Sequence, residues 1–526
     1  MKDVNRWLLP ITTCLLGAAI ALFAAKKIYV NRFEKAPGMQ KFNEVLSYID
    51  KYYLDSVNEK ELFDGAIVGM LKTLDPHSAY ATAEENKQLM ESLNGAFEGV
   101  GIQFSIMNDT VMVVATTSGG PSEKVGIRAG DRIVTVDEET IAGVGISEER
   151  VFKLLRGPKD TQVKIGIYRP SLQDKLSFTV TRDEIETYTL DIAYMLNSST
   201  GYIKLNQFGE NTYMEFALAI SKLKAAGMTS LVLDLRGNSG GYLGAAIQIC
   251  DAFLPSGEMI VYTQGAKTPS EKIQATATGC WEKGKLVVLI DEFSASASEI
   301  VAGAIQDNDR GIIVGRRSFG KGLVQQQFEL SDKSSLRLTI ARYYTPSGRC
   351  IQRNYDKGTD DYYEDLLRRY EHGEMTSSDS IKLDKTLRYT TKKGRVVYGG
   401  GGIMPDHFVP LEVNDELVPF NAAFNSGLVV EFAFHYTTLH EQNLRKTYPT
   451  VNQFISKMNV SDAVVQEFLR FYQNKNGRAD FNDTAKKELK LWLKALIGRN
   501  LYRDEGFYPI INTTDAAVLK ALEVLK

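Results

Sequence analysis

Ser296 and Lys321 have the chemistry of a nucleophile and its general base. Ser296 lies in a run of small residues after an apolar strand candidate, Lys285–Ile290, and Lys321 lies between Gly320 and Gly322. A serine hydroxyl is a weak nucleophile unless a base accepts its proton, and a lysine can be that base only when its pKa is lowered. The pattern predicts strand, tight turn, helix, strand, loop and strand in this order, which can bring both residues into one cleft. The interpretation is a Ser/Lys dyad.

Local chemistry alone also allows other roles for these residues. Ser296 with Glu299 fits a helix capping box, Ser298 fits an N-cap, and Lys321 fits a solvated loop residue. The spacing of Ser318 and Lys321 matches the Ser-x-x-Lys motif of penicillin-recognising enzymes. That motif requires both residues on one helical turn, and the flanking glycines argue against a helix. No Ser-Asp-Asn or Lys-Thr-Gly motif follows in the sequence.

A glycine-rich turn is the second element that could take part in a reaction. The apolar run Leu231–Leu235 predicts a buried parallel strand, and it leads into the sequence RGNSGG at residues 236–241. Backbone N–H groups at such a turn bind either a phosphate or an oxyanion. A phosphate loop would need a lysine after the last glycine, and none follows. The turn therefore lacks the lysine of a phosphate loop, a plain tight turn is the alternative to an anion site, and Arg236 is expected to form a structural ion pair.

Residues 93–182 contain two further motifs, GVGIQF at Gly99–Phe104 and GPSEKVGIRAGDRIVTVD at Gly120–Asp137. With these motifs the segment resembles a PDZ domain, a module that binds protein C-termini. An extended peptide would add a strand beside residues 102–104, and the N–H groups of the preceding loop would bind its terminal carboxylate. The predicted peptide-binding residues are Gly99, Val100, Gly101, Ile102 and Phe104. A PDZ domain that only packs against its neighbours is the alternative.

Composition excludes several other functions. The chain of 526 residues is 44% hydrophobic and 24% charged with a formal net charge of −3, so it has material for several globular domains and no basic tract for nucleic acid. Its four cysteines are widely spaced without a Cys-x-x-Cys motif, and its five histidines form no metal-binding pattern. We therefore predict no metal and no cofactor.

The first 35 residues are predicted to target a membrane. The segment Trp7–Ala25 has no charge over 19 residues and is flanked by basic residues on both sides. At a rise of about 1.5 Å per residue it nearly spans a hydrocarbon core of about 30 Å. We favour an uncleaved anchor in the inner membrane over a cleaved signal peptide, with the remaining chain in the periplasm.

Two stretches carry a resemblance to a protease family. SASASEIVAGAIQD contains Ser296, and VGRRSFGKGLVQ contains Lys321 and ends at Gln325. They resemble the core of the carboxyl-terminal processing peptidases, also called tail-specific proteases. The resemblance implies that Ser296 is the nucleophile, Lys321 the general base and Gln325 the residue that positions the lysine. It extends over roughly Phe42–Pro410.

The same resemblance assigns an oxyanion hole. One donor is implied to be the N–H group of Gly240 or Gly241, with Gly240 favoured, and the other the N–H group of Ala297. The implied substrates are proteins with accessible, apolar C-termini, which the PDZ domain would recognise. A non-catalytic PDZ scaffold is the competing class, although the nucleophile, the base and the glycine turn are all present.

The predicted fold class is a multidomain α/β protein. A mixed α/β peptidase core carries an inserted β-rich PDZ domain, an N-terminal helical segment and a C-terminal helical domain. The predicted domains are 1–35 (anchor), 36–92 (helical region), 93–182 (PDZ), 183–410 (peptidase core) and 411–526 (helical domain). His77, after Asp-Pro, is expected to be a turn residue, and the charged stretch Asn354–Leu383 a surface insertion. The C-terminal domain is reminiscent of longer Bacteroidetes-type members, and homo-oligomerisation is left open.

Overall fold

The computed structural model describes residues 37–526 except residues 118, 171, 173, 478 and 479. The predicted membrane anchor therefore lies outside the described residues. The chain divides into two compact units, one ending at Leu71 and one beginning at Lys72. The described part of the first unit consists of two helices, α1 (Pro37–Tyr52) and α2 (Glu59–Leu71). Helix α2 begins with two acidic residues, which interact favourably with the positive end of the helix dipole.

The second unit begins with a segment that is not helical throughout, in contrast to the prediction for residues 36–92. Its elements are strand β1 (Ala79–Ala81), helix α3 (Ala83–Asn94) and strand β2 (Ala96–Gly99). A capping box between Thr82 and Glu85 starts α3, and Gly95 in the left-handed region ends it.

The predicted PDZ domain forms a β-rich insertion. Its elements are β3 (Ile102–Met107), β4 (Thr110–Thr116), α4 (Pro121–Val125), β5 (Arg132–Val136), β6 (Glu139–Thr140), α5 (Glu148–Leu155), β7 (Gln162–Arg169), β8 (Asp174–Thr181) and β9 (Asp183–Glu186). The sheet order is β3-β4-β5-β7-β8, with β6 paired to β5. Alternate residues of β7 are buried, as expected for a sheet with one solvated face. Strands β2 and β9 pair with each other, so the chain enters and leaves the domain side by side.

The peptidase core contains two sheets. Its elements are β10 (Leu190–Met195), β11 (Thr200–Leu205), α6 (Thr212–Ala225), β12 (Ser230–Asp234), α7 (Leu243–Phe253), β13 (Met259–Gln264), β14 (Glu271–Gln274), β15 (Lys285–Ile290), α8 (Ala297–Asp307), β16 (Ile312–Gly315), β17 (Leu323–Glu329), β18 (Ser335–Tyr344), α9 (Thr359–Glu371), β19 (Arg388–Thr390), β20 (Val396–Tyr398) and β21 (His407–Phe408). The central sheet has the order β10-β11-β12-β15-β16-β21 and is parallel except at β10. A second, antiparallel sheet has the order β1-β18-β13-β14, with β17 also paired to β18.

The C-terminal segment is helical, as predicted. Its helices are α10 (Val418–Asn425), α11 (Leu428–Thr447), α12 (Val451–Lys457), α13 (Asp462–Asn476), α14 (Asp483–Tyr502), α15 (Tyr508–Ile511) and α16 (Ala516–Val524). Helices α10 to α15 enclose a hydrophobic core of their own. Among the helices of the described residues, none is by itself long and apolar enough to cross a membrane, although the bent pair Asp415–Asn425 and Leu428–Thr447 meets that test of length and composition together.

Helix α16 does not belong to this helical core. It packs against β15 and β16, and its residues Val518 and Ala521 are buried with Val287, Leu289 and Val314 of the central sheet. Helices α6, α7 and α8 cover the opposite face of that sheet. The last helix of the segment 411–526 therefore completes the core of the peptidase, because a parallel sheet buries both faces.

Candidate active site

Ser296 lies at a sharp turn between β15 and α8. Its backbone has φ 54° and ψ −110°, in a region that residues other than glycine rarely adopt. The turn before it is built on Asp291, whose carboxylate accepts hydrogen bonds from the N–H groups of Phe293 and Ser294. All residues of α8 are buried, so the helix is a fixed base for the serine.

The carboxylate of Glu299 joins this turn to the loop that carries Lys321. Its Oε2 accepts hydrogen bonds from the backbone N–H of Ser296 at 2.9 Å and of Lys321 at 2.8 Å. Its Oε1 accepts from the N–H of Gly320 at 2.7 Å and from the hydroxyl of Ser318 at 2.6 Å. Burial raises the pKa of Glu299 despite these donors, which stabilise the carboxylate. One buried side chain thus fixes the backbone of both candidate catalytic residues.

Tyr343 makes a second connection between the same two residues. Its hydroxyl donates to the carbonyl oxygen of Lys321 at 2.6 Å and lies 3.2 Å from the carbonyl oxygen of Ser296. The tyrosine is buried on β18, and burial raises its pKa well above the ordinary value, so the hydroxyl keeps its proton. Glu299 and Tyr343 therefore hold the two chain segments through both their amides and their carbonyls.

The side chain of Lys321 lies in an environment that favours the neutral amine. Burial, and after it the positive charge of Arg337, lowers the pKa of Lys321 to about 8, while Glu299 and Asp75 oppose this shift. Gln325 lies in β17 opposite Thr339 of β18. Within the part of the chain that the structure describes, its Nε2 is buried and has no hydrogen-bond partner.

The glycine-rich turn after β12 lies directly beside Ser296. A Cβ atom on Gly240, which has φ +107°, would lie 2.9 Å from the Cβ of Ser296 and 3.1 Å from the N of Ala297. Gly241, with φ +144°, leaves no room for a side chain, because a Cβ would lie 2.1 Å from the carbonyl oxygen of Phe208. Gly240 and Ala297 therefore lie next to the serine, and Gly241 follows Gly240 in the chain.

Of the two glycines, Gly240 already has a partner for its N–H group. This group donates to Oδ1 of Asn238 at 2.9 Å. To bind an oxyanion, the N–H group of Gly240 would have to give up its hydrogen bond to Asn238. Gly241 is the next residue and forms a β-bridge with Phe208. The preference of the sequence analysis for Gly240 stays a prediction.

Arg236 forms the structural ion pairs that its sequence context predicted. Its guanidinium binds Asp234 at 2.7 Å and Asp515 of the C-terminal segment at 2.8 Å. Burial would raise the pKa of Asp234, but the charges of Arg236 and Lys204 outweigh it and hold the pKa well below the ordinary range. The sequence analysis gave no role to Asp515, because its proximity to Arg236 is a product of the tertiary fold.

The turn at His77 borders the lysine. The carboxylate of Asp75 accepts hydrogen bonds from the N–H groups of His77 and Ser78 and from the hydroxyl of Thr339 on β18. Nε2 of His77 lies 2.9 Å from the hydroxyl of Tyr362. Burial, and after it the charge of Lys321, lowers the pKa of His77 to about 3. The imidazole is therefore neutral near pH 7, and the hydrogen bond from its backbone N–H to Asp75 fits the predicted turn residue.

The charged stretch Asn354–Leu383 is more than the predicted surface insertion. Tyr362 and Arg369 of α9 are buried, and the Arg369 guanidinium donates to the carbonyl oxygens of Arg317 and Ser318 in the lysine loop. Arg369 therefore supports the loop that carries Lys321. Charge density along the sequence did not reveal these buried residues, because the buried face of α9 contributes only a few of its residues.

Ser318 is unsuited to the role of a penicillin-type nucleophile. The residue is fully buried. Its hydroxyl donates to Glu299 at 2.6 Å and accepts from the N–H of Ile403 at 2.6 Å. Both interactions are structural, so the geometry disfavours that alternative.

The predicted peptide groove of the PDZ domain lies between β3 and α5. The rings of Phe104 and Phe152 lie 5.1 Å apart, one from each side of the groove. Val100 is buried in the core of the domain, and its carbonyl accepts from the N–H and the hydroxyl of Ser122. Arg156, after α5, binds Glu91 of α3 at 2.8 Å. Val100 could therefore contact a peptide through its backbone but not through its side chain. The ion pair of Arg156 with Glu91 connects the end of the groove to helix α3.

Comparison with known families agrees with this architecture. The model of Peptidase family S41 matches residues 199–362, and a PDZ domain model matches residues 112–169. The N-terminal domain of the activating protease CtpB matches residues 24–85, and a family of unknown function, DUF8443, matches residues 420–504. The site and these matches define a serine-type peptidase with a PDZ domain.

Individual relatives identify the family more closely. The chain is 37% identical over 342 residues to a carboxy-terminal-processing protease of Bartonella bacilliformis, covering 64% of this chain and 78% of that protein. It is 35% identical over 324 residues to the carboxy-terminal processing protease CtpB of Bacillus subtilis, covering 61% and 67%. Among solved structures, the photosystem II D1 C-terminal processing protease is 30% identical, with a TM-score of 0.34 and coverage of 59% and 83%. The chain belongs to the carboxy-terminal processing proteases, as its sequence motifs indicated.

Proposed function

We propose that this protein is a serine endopeptidase with a Ser/Lys dyad, in which Ser296 is the nucleophile and Lys321 the general base. The observation that carries the proposal is the double connection between the two residues. Glu299 accepts hydrogen bonds from both backbone amides, and the hydroxyl of Tyr343 contacts both carbonyls. Two segments that are distant in the chain are thereby held side by side, which a nucleophile and its base require.

The reaction follows from the protonation state of the lysine. Neutral Lys321 accepts the proton of the Ser296 hydroxyl as its oxygen attacks the scissile carbonyl. The resulting ammonium returns the proton to the leaving amine, and the peptide bond breaks to leave an acyl-enzyme. A water molecule then attacks the ester, Lys321 accepts its proton, and the proton returns to Ser296 as the new C-terminus leaves. Gln325, with its unpartnered Nε2, is proposed to orient the substrate and the lysine.

The negative oxygen of the tetrahedral intermediate would bind backbone N–H groups beside the serine. Ala297 at the start of α8 supplies one donor, and Gly240 or Gly241 supplies the other. A positioned donor of this kind typically stabilises the transition state by about 3 kcal/mol. The closeness of Gly240 to Ser296 supports this arrangement.

The PDZ domain is proposed to bind the C-terminal residues of protein substrates. A substrate strand would pair with Ile102–Phe104, with its carboxylate at the N–H groups of residues 99–101 and an apolar side chain near Phe104 and Phe152. Cleavage then occurs near the C-terminus that the domain holds. Membership of a carboxy-terminal processing family agrees with processing at this end of the substrate.

We also propose that residues 1–35 anchor the protein in the inner membrane with the catalytic body in the periplasm. The support is the uncharged segment Trp7–Ala25 between basic residues. Fractionation of cells that produce the full chain tests this. Recovery of uncleaved protein in carbonate-washed membranes, with the body accessible to protease in spheroplasts, is the expected result. Release of a shortened protein into the periplasmic fraction would contradict the anchor.

The decisive experiment compares the wild type with Ser296→Ala and Lys321→Ala. We expect wild type to degrade casein and a quenched fluorescent peptide with an apolar C-terminus, and both variants to lose this activity. Both variants should keep the wild-type circular dichroism spectrum and should still bind the peptide in fluorescence anisotropy. Full activity in Lys321→Ala would exclude the dyad. Absence of cleavage by wild type, with intact peptide binding, would favour a PDZ scaffold.

A further inference from the structure

We infer that Asp515 is a positioning residue for catalysis, through which helix α16 of the C-terminal segment fixes the turn that supplies the oxyanion donors. The inference rests on the proposed role of residues 237–241. It assigns to the C-terminal segment a defined contribution to the reaction, although this segment lies outside the match to the peptidase family, which ends at residue 362.

The contact is a charge-assisted pair of hydrogen bonds in a partly buried position. Nη1 of Arg236 donates to Oδ2 of Asp515 at 2.8 Å and to Oδ1 at 3.1 Å. The same guanidinium donates through Nη2 and Nε to Asp234. Asp515 is also the N-cap of α16, since its Oδ1 accepts the N–H of Val518 at 2.9 Å. The helix therefore holds the carboxylate in one orientation toward Arg236.

Arg236 is the first residue of the glycine turn, so its position determines where the turn begins. Its own N–H donates to Asp234 at 2.9 Å, and its carbonyl accepts from Nζ of Lys204 at 2.6 Å. The next N–H, that of Gly237, donates to Asp291 at 3.0 Å, in the turn that precedes the serine. The network thus runs from Asp515 through Arg236 to both sides of the proposed oxyanion hole.

Charge balance explains why this position requires a carboxylate. The side chain of Asp234 is fully buried, and that of Arg236 is 22% exposed. Lys204 adds a second positive charge at 3.7 Å from Asp234. The two cations Arg236 and Lys204 thus face two carboxylates, those of Asp234 and Asp515. Without Asp515, a largely buried guanidinium loses one of its two partners, and such groups change position or admit water to satisfy their donors.

The chain offers a matched control at the other end of the same helix. Nζ of Lys285, the first residue of β15, donates to the carbonyl oxygens of Leu525 and Lys526 at 2.6 and 3.0 Å. Lys285 is the first residue of β15, and Asp234 is the last residue of the neighbouring parallel strand β12. Lys285 therefore lies at the opposite end of the strands from Asp234 and the glycine turn. Replacing Lys285 weakens the attachment of α16 without touching Arg236.

The test compares Asp515→Ala, Asp515→Glu and Lys285→Ala in the full chain. We expect Asp515→Ala to lower kcat for the quenched peptide by roughly tenfold to a hundredfold. This decrease is smaller than that caused by removing an oxyanion donor altogether, which is about a hundredfold to a thousandfold. KM and binding of the peptide to the PDZ domain should stay within about twofold of wild type. Affinity for a peptide boronic acid, which forms a tetrahedral adduct with the serine, should fall in parallel with kcat. Asp515→Glu should recover most of the activity, and Lys285→Ala should retain it.

Three results would overturn the inference. One is wild-type kcat in Asp515→Ala, and another is an equal loss in Lys285→Ala. The third is a loss in Asp515→Ala that matches the fraction of unfolded protein at the assay temperature, measured by circular dichroism. Failure of the proposed function would be seen in a different variant, because Ser296→Ala would then still cleave the peptide. Loss of cleavage in Ser296→Ala with normal kcat in Asp515→Ala leaves the dyad intact and rejects only the role of Asp515.

Discussion

The backbone amides of Ser296 and Lys321 donate to the same atom, Oε2 of Glu299, at 2.9 and 2.8 Å. In the sequence, Glu299 appears only as the last residue of a capping box that begins at Ser296. In the fold its carboxylate is fully buried and also accepts hydrogen bonds from Gly320 and Ser318. Glu299, which the sequence shows only as a helix-capping residue, therefore connects the two halves of the site.

Replacing Glu299 by Gln tests this connection. The amide group of Gln would place N–H donors against backbone N–H groups and leave buried donors without acceptors, at about 1–3 kcal/mol each. We expect the free energy of unfolding in urea to fall by at least about 3 kcal/mol and cleavage to be lost. Glu329→Gln is the control, since Glu329 forms an exposed ion pair with Lys333 and its loss should cost less than about 0.5 kcal/mol. Equal stability of the two variants would contradict the structural role of Glu299.

The backbone of Ser296 predicts an unusual ranking in stability of two variants of the proposed nucleophile. At φ 54° and ψ −110° a serine or an alanine is strained, whereas glycine is not. We expect Ser296→Gly to be more stable than Ser296→Ala by about 1 kcal/mol, after allowance for the greater flexibility of glycine in the unfolded chain. In the middle of α8 glycine should instead be unfavourable, and we expect Ala304→Gly to lower the free energy of unfolding by about 1 kcal/mol relative to wild type. Thermal unfolding followed by circular dichroism measures all three.

The lowered pKa of Lys321 predicts the dependence of activity on pH. Burial favours the neutral amine, so the general base becomes available as pH rises through about 8, and kcat/KM should increase across this range and level off above it. Because the charge of Arg337 also lowers this pKa, Arg337→Gln should move the midpoint to higher pH. Lys333→Gln removes an exposed positive charge and should leave the midpoint unchanged. A profile without change between about pH 6 and about pH 10, roughly two units on either side of the midpoint, would speak against lysine as the base.

The local elements of the site could be predicted from the sequence. The strand candidate Lys285–Ile290 is observed with these bounds, and the helix expected from Ser298 to about Asp307 is observed as Ala297–Asp307. The sequence also predicts strands at residues 162–169, from their alternating pattern, and at residues 335–344, and both are observed with these bounds. These segments combine an apolar pattern with glycines or small polar residues at their ends, so short-range physics is sufficient to locate them.

What could not be predicted depends on contacts between distant segments. The sequence gives no sign that the hydroxyl of Tyr343 contacts the backbone of both candidate catalytic residues, or that Tyr362 lies beside His77. Nor does it show that Asp515 binds Arg236, since these residues are in different predicted domains. Such pairs are defined by the packing of complete elements. A pattern within one element carries no information about them.

The position of α16 on the central sheet predicts a contrast between neighbouring residues of one helix. Val518 is fully buried against the sheet, whereas the side chain of Leu519 is 48% exposed. Val518→Asp would place a charge in the apolar core of the peptidase, and we expect it to lower the free energy of unfolding by more than about 3 kcal/mol, with little soluble protein. Leu519→Asp should change the free energy of unfolding by less than about 0.5 kcal/mol. If the first substitution had no larger effect than the second, the C-terminal helix would not be part of the peptidase core, and the covering of the sheet by α16 would have to be abandoned.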